Sequence, residues 1–234
     1  MGKGMNTIAI VDDRKADRDL ASKRIVRGLR SAGAADAWRV IVSAPLPTLE
    51  EYPNWLGEEQ VDVLILDQRL NESGPPQVSY TGHDIVTRIT PRLFDLPVYY
   101  LTSIKDVSEV EADKSKVRAI LQRDKFLNSD PGVWEKEFIR EGTRYREHVA
   151  RRMLRLSELS EAAALGELSE AEAQEAAALR QELHLVFENG DPGVEAESAT
   201  RARVLKAFSD QLSQLDSTLS ELRDLLQAHD KPGE

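Results

Sequence analysis

The sequence predicts an α/β protein: a doubly wound, five-stranded parallel sheet followed by an all-α helical hairpin and coiled-coil module. Three observations carry this reading. Five short apolar runs recur through residues 1–130, and continuous runs of that length suit strands buried on both faces. Helical patterns lie between the runs, which is the alternation of a parallel α/β domain. After residue 130 the strand pattern stops and helical periodicity replaces it. Two domains are expected, 1–130 and 131–234.

The first run is Ile8-Ala9-Ile10-Val11. An amphipathic stretch from Arg14 to Ala32 follows, with Leu20, Ile25, Val26 and Leu29 forming an approximate apolar face. The second run is Val40-Ile41-Val42, and Pro47 and Pro53 break up the connection after it. The third spans Val61 to Leu66. A helix is predicted from Gly82 to Ile89, ended by Pro91. The fourth run is Pro97 to Leu101 and the fifth Val117 to Leu121.

In the second half, Asp130-Pro131 predicts a helix start, with Asp as N-cap and Pro at the first helical position. Trp134, Phe138, Tyr145, Val149, Met153 and Leu156 then recur at three, four and seven. The pattern pauses at Gly166-Glu167-Leu168. Ser169 with Glu172 forms a capping-box pattern, opening a helix whose face carries Ala176, Leu179, Leu183 and Val186. Asn189-Gly190-Asp191-Pro192-Gly193 is a strong break, and a last helix runs to about Ala228. In it Leu205, Phe208, Leu212, Leu215, Leu219, Leu222 and Leu226 alternate at three and four. That is the a/d seam of a coiled coil. It serves either as the core of an intramolecular bundle or as a homodimer interface; the expectation is a homodimer.

Composition narrows the function classes. The chain has 234 residues, 41% hydrophobic, with 31 Lys and Arg against 41 Asp and Glu, for a net charge of −10. The 1–130 half carries 18 basic and 20 acidic side chains, the 131–234 half 13 and 21. An acidic helical half with no basic recognition helix argues against nucleic-acid binding. The basic cluster Arg144, Arg146, Arg151, Arg152 and Arg155 reads instead as a solvated helix face. There is no cysteine, which removes disulfides and thiolate chemistry. No apolar run reaches the length of a membrane span, and the apolar run before Asp12 is too short for a signal peptide. A cytoplasmic protein without membrane insertion is expected. There is no Gly-rich phosphate loop, paired-histidine zinc motif or nucleophile elbow, so a conventional enzyme is not expected. His148 and His184 fall on predicted helices without any accompanying phosphotransfer pattern.

The informative feature is where the carboxylates fall. Asp12 and Asp13 follow the first strand, Asp67 follows the third, and Thr102 and Ser103 follow the fourth. The carboxyl ends of parallel strands form the ligand crevice of an open sheet. Three clustered carboxylates repel one another and attract a hard cation such as Mg²⁺.

Residues 7–127, about half of the chain, resemble the receiver domain of two-component response regulators, a flavodoxin-like fold. Ile10-Val11-Asp12-Asp13 with Arg18 resembles that family's first strand and acidic pair. Val63-Leu64-Ile65-Leu66-Asp67 resembles its third strand and phosphoacceptor, and Leu96 to Ser103 its fourth strand and switch hydroxyl. Gly82 stands where the family often has a glycine opening the third helix. The resemblance implies that Asp67 accepts a phosphoryl group from a histidine kinase. It implies that Asp12, Asp13, Asp67 and the backbone carbonyl of Arg69 hold Mg²⁺, and that Thr102 bonds a phosphoryl oxygen.

The family's lysine after the fifth strand falls on Arg123 or Lys125, with Arg123-Asp124 the better match. An aromatic switch residue is not evident; Ile120 lies nearest its place. The loop from Gln68 to Thr81 is long and carries Gly74-Pro75-Pro76. The implied role is signal transduction, with the helical half relaying the state to a protein effector. The alternative is a phosphate sink, a scaffold or a degenerate receiver without a phosphorylation-driven output.

Overall fold

The computed structural model describes residues 5–71, 77–90, 95–103, 116–166 and 168–187; of 164, 181, 182 and 184–187 it describes the backbone alone. The Gly74-Pro75-Pro76 segment, Pro91, the break at Asn189 to Gly193 and the seam from Leu205 to Leu226 lie outside the described residues.

Five strands form one sheet: β1 (Asn6–Val11), β2 (Trp38–Ser43), β3 (Val61–Leu66), β4 (Val98–Thr102) and β5 (Ala119–Gln122). The spatial order is β2-β1-β3-β4-β5, and every pairing is parallel. This is the doubly wound, flavodoxin-like order, with its topological switch point between β1 and β3. The helices are α1 (Lys15–Ser31), α2 (Tyr52–Glu58), α3 (Gly82–Ile89), α4 (Arg123–Asn128), α5 (Val133–Leu165) and α6 (Glu170–Phe187).

Alternation along each strand sends side chains to two cores. Ala9, Val11, Leu64, Leu66, Val98 and Tyr100 face Tyr52 and Leu56 of α2 and Ile85, Val86 and Ile89 of α3. Ile8, Ile10, Val63, Ile65, Tyr99 and Leu101 face Ala21, Ile25 and Leu29 of α1, Phe126 of α4 and Phe138 of α5. The continuous apolar runs therefore have the expected cause: β3 is buried at all six positions. The fifth strand runs two residues later at its start than the apolar run predicts, at Ala119.

Three local elements depart from the sequence reading. A turn of 3-10 helix (Leu49–Glu51) and then α2 fill the second connection, with Pro53 in the first turn of α2. Proline is tolerated there because that N–H has no helical partner to lose. A short helix, α4, follows directly from β5. Asp130-Pro131 does not cap α5. Gly132 does, at φ +96°, a left-handed conformation open to glycine, and Glu135 reaches back to accept from the Gly132 N–H at 2.9 Å. The helix therefore starts three residues after Asp130. Ser169, in contrast, caps α6 as its pattern predicts: Glu172 N–H donates to Ser169 Oγ at 3.3 Å, and Ser169 N–H donates to the Glu172 carboxylate at 3.0 Å.

Packing continues across residue 130. The described residues belong to one compact unit, 4–189, and α5 lies against the sheet. Its Phe138 ring meets Tyr99 edge-on at 4.8 Å. Gly142 allows the close approach: a Cβ there would stand 2.6 Å from the Trp38 ring and 2.8 Å from Val63. Further along, Arg146 forks onto the buried carboxylate of Asp62 at 2.9 and 2.7 Å, while Asp62 also accepts from Thr7 N–H at 2.8 Å. Arg155 forks onto Glu175 of α6 at 3.0 and 2.8 Å. Two of the five arginines in the basic cluster are thus committed to carboxylates within the fold. Among the described residues, no helix is long and apolar enough to cross a membrane.

Candidate functional site

Parallel strands end together, and here the ends carry chemistry. Val11 and Leu66 are paired in register, so Asp12 and Asp67 emerge side by side at the β1/β3 switch point. Asp67 N–H donates to Val11 O at 2.9 Å. Asp12, Asp13 and Asp67 are all buried and each offers one carboxylate oxygen within 4.8 Å of the others. Thr102, the last residue of β4, is buried at the same edge; Ser103 is exposed.

Arg123, the first residue after β5, reaches into this cluster. Its Nη2 donates to Asp12 Oδ2 at 2.5 Å and to Leu101 O at 3.4 Å, and lies 3.3 Å from Asp67 Oδ2. Its Nη1 donates to Asp17 on α1. Lys125, the other candidate for this slot, is exposed on α4. Of the two, Arg123 is the one that reaches the carboxylates, because it directly follows the strand and inherits its direction into the crevice. Arg69 is exposed two residues beyond Asp67.

Burial dominates the electrostatics. It pushes the Asp67 carboxyl up to about 7, and the neighbouring Asp12 and Asp13 charges push the same way; Arg123 and the Gln68 backbone oppose them. Asp12 is also raised, first by burial, against the pull of Arg123 and of the Arg14 N–H that donates to its Oδ1 at 2.8 Å. One guanidinium does not neutralise three buried carboxylates. The donor set is all oxygen, anionic and convergent, which fits a hard divalent cation and not a soft one.

Two supports complete the site, and the first of them was not visible as such in sequence. Asp17 becomes part of the site because the first turn of α1 begins at the same sheet edge; an acid a few residues after the Asp12-Asp13 pair was the available signal. Gly82 opens α3 directly over the phosphoacceptor candidate. Its N–H donates to Gln68 O at 2.9 Å, and a Cβ would lie 2.4 Å from the Asp67 carbonyl oxygen and 3.1 Å from Gln68 Cα. Both neighbours are backbone and cannot rotate away. Gly82→Ala is expected to cost about 1–3 kcal/mol in denaturant unfolding, with a loss of divalent-ion affinity as Asp67 shifts.

No protein-family model matches the chain, and no curated protein matches it. Solved structures do. They include response regulators. A LuxR-family DNA-binding response regulator from Staphylococcus aureus aligns at 13% identity and TM-score 0.43, over 59% of this chain and 99% of its own. A CheY-like response regulator receiver domain protein from Methanospirillum hungatei aligns at 16% and 0.41, over 62% and 99%. The Salmonella typhimurium response regulator RcsB aligns at 14% and 0.42, over 81% and 95%. At such identities and scores the likeness bears on neither activity nor partners.

Proposed function

We propose that this chain is a response regulator-like, cytoplasmic signalling protein that accepts a phosphoryl group on Asp67 from a histidine kinase and passes the state on through protein contacts of its helical half. One observation carries the reading. The buried Asp67 stands at the switch point of the sheet with Asp12 and Asp13 at its side, Thr102 at the next strand end and Arg123 against it. Capping a helix or loop asks for none of this convergence.

In the step proposed, a carboxylate oxygen of Asp67 attacks the phosphorus of a phosphohistidine. The P–O bond forms, the P–N bond breaks, and the imidazole leaves with the electron pair. Asp12, Asp13 and Asp67, with the Arg69 carbonyl, would hold Mg²⁺; bound there, it would neutralise charge on the incoming phosphoryl oxygens. Thr102 would donate its hydroxyl to one phosphoryl oxygen, and Arg123 would pair with another. The burial of the site limits hydrolysis by bulk water.

The test is phosphoryl uptake from acetyl phosphate with Mg²⁺, read by Phos-tag electrophoresis. Wild type is expected to shift and Asp67→Asn to show no shift; labelling retained in that variant excludes Asp67. A second reading, a sink or scaffold, is favoured by the missing aromatic at Ile120, which is half-buried in β5. Under it, the chain is labelled with no change in mass or partner binding. We further propose a homodimer through the Leu205–Leu226 seam. Mass and melting temperature then depend on protein concentration, and a constant monomeric mass across the micromolar range excludes it. Neither enzymatic turnover of a metabolite nor nucleic-acid binding is part of the proposal.

A further inference from the structure

The position of Arg123 has a consequence for how the acidic site loads. Its Nη2 stands between Asp12 Oδ2, at 2.5 Å, and Asp67 Oδ2, at 3.3 Å. Both carboxylates belong to the three that converge for a cation. A Mg²⁺ ion holds its ligands at about 2.0–2.1 Å, so two ligands on opposite sides of it are about 4.2 Å apart. A guanidinium nitrogen lies between the two carboxylates, where an ion held by both would have to sit. An arginine cannot leave by losing its charge, because it stays protonated at any ordinary pH.

The same side chain has a second seat. Nη1 pairs with Asp17, a carboxylate from α1 that lies outside the convergent three. The planar fork lets Arg123 hold both at once. It can therefore give up Asp12 and Asp67 while keeping Asp17, a small rotation of a side chain that is already anchored. A single ammonium lacks this two-point grip.

We propose that Arg123 is a tethered counter-ion that competes with the divalent cation for Asp12 and Asp67, with Asp17 as its alternate seat, and so sets the ion concentration at which the site loads. This rests on the acidic cluster being the metal site of the proposed function. It adds a positioning role for Asp17 and a competing role for Arg123, separate from any contact of Arg123 with a phosphoryl group.

The test is calorimetric titration of the full chain with Mg²⁺ and with Mn²⁺, alongside melting temperatures with and without each ion. In Arg123→Gln the ion should bind at least tenfold tighter, because one unit charge next to its ligands has been removed. The ion-free melting temperature should fall, and the rise on adding ion should exceed that of wild type. Should Arg123→Gln not fold, Arg123→Lys keeps a cation but not the fork, and is expected to bind the ion at least threefold tighter than wild type. Binding by a variant and not by wild type would also support the competition. Wild type and variant binding with equal affinity, or the variant more weakly, would overturn the competition and leave the metal site standing. No binding by any of the three would overturn both.

Discussion

Glu135→Ala is expected to lower the free energy of unfolding by about 3–5 kcal/mol, the usual cost of leaving one member of a buried ion pair without the other. Glu135 is fully buried and Arg24 is 4% exposed. Arg24 Nη1 donates to Glu135 Oε1 at 2.6 Å, and Nη2 donates to Ser129 O, Ser129 Oγ and Asp130 O at 3.1, 3.0 and 2.9 Å. The guanidinium also lies over the Phe126 ring, 5.3 Å from its centroid. The second Glu135 oxygen holds the Gly132 N–H that opens α5. The pair therefore joins α1, the turn after α4 and the start of α5. Alanine strands a charge, frees a helix-capping donor and leaves a void at once. Glu135→Gln keeps the shape and most of the donors' partners, and should lose less. Chemical denaturation of both variants checks this. A loss below about 1 kcal/mol for alanine would mean that the other contacts of α5, Phe138 and Arg146 among them, hold the helix without this pair.

The second large effect is a pH dependence removed by Asp67→Asn. Folded, the Asp67 carboxyl is pushed up to about 7; unfolded, it titrates near 3.9. The folded chain thus binds the proton more tightly than the unfolded chain. This group's contribution to stability is then greatest below about pH 4 and falls as the pH climbs towards 7. Three units of difference amount to about 4 kcal/mol. Asp12 is raised in the same sense, and the pair loses its protons as a coupled system. In buffer stripped of divalent ions, Asp67→Asn should melt about 10 °C above wild type at pH 8, with the gap closing towards pH 4. Melting curves at both pH values decide it. A gap that does not change with pH would show that Asp67 is ionised in the folded chain throughout. Addition of Mg²⁺ at pH 8 should raise wild type and leave Asp67→Asn far less affected, since the ion supplies the counter-charge that the amide no longer needs.

The architecture was legible because it depends on local repetition. Continuous apolar runs demand two covered faces, and Asp12, Asp13, Asp67 and Thr102 could be assigned to one sheet edge once those runs were parallel strands. The likeness to receiver domains followed from that order. The capping box at Ser169 was legible for the same reason: both partners lie within three residues. The start of α5 was not. Asp130-Pro131 has the local pattern of a helix start, but the buried Glu135 carboxylate, drawn by Arg24 over a hundred residues away, sets the cap at Gly132. Competition between a local signal and a buried charge pair is resolved by desolvation, which no window of sequence contains.

The same limit applies to the site. Sequence left Arg123 and Lys125 both open, two residues apart, and showed Asp17 only as a charge on a helix. Arg123 enters the crevice and Lys125 stays in solvent because α4 begins directly at the end of β5, turning the second of them away. The carboxylates were in view from the start. That Arg123 stands among them, and that Asp17 also pairs with it, depends on side chains that follow β1 and β3 meeting others from α1 and α4, which chain order alone does not bring together.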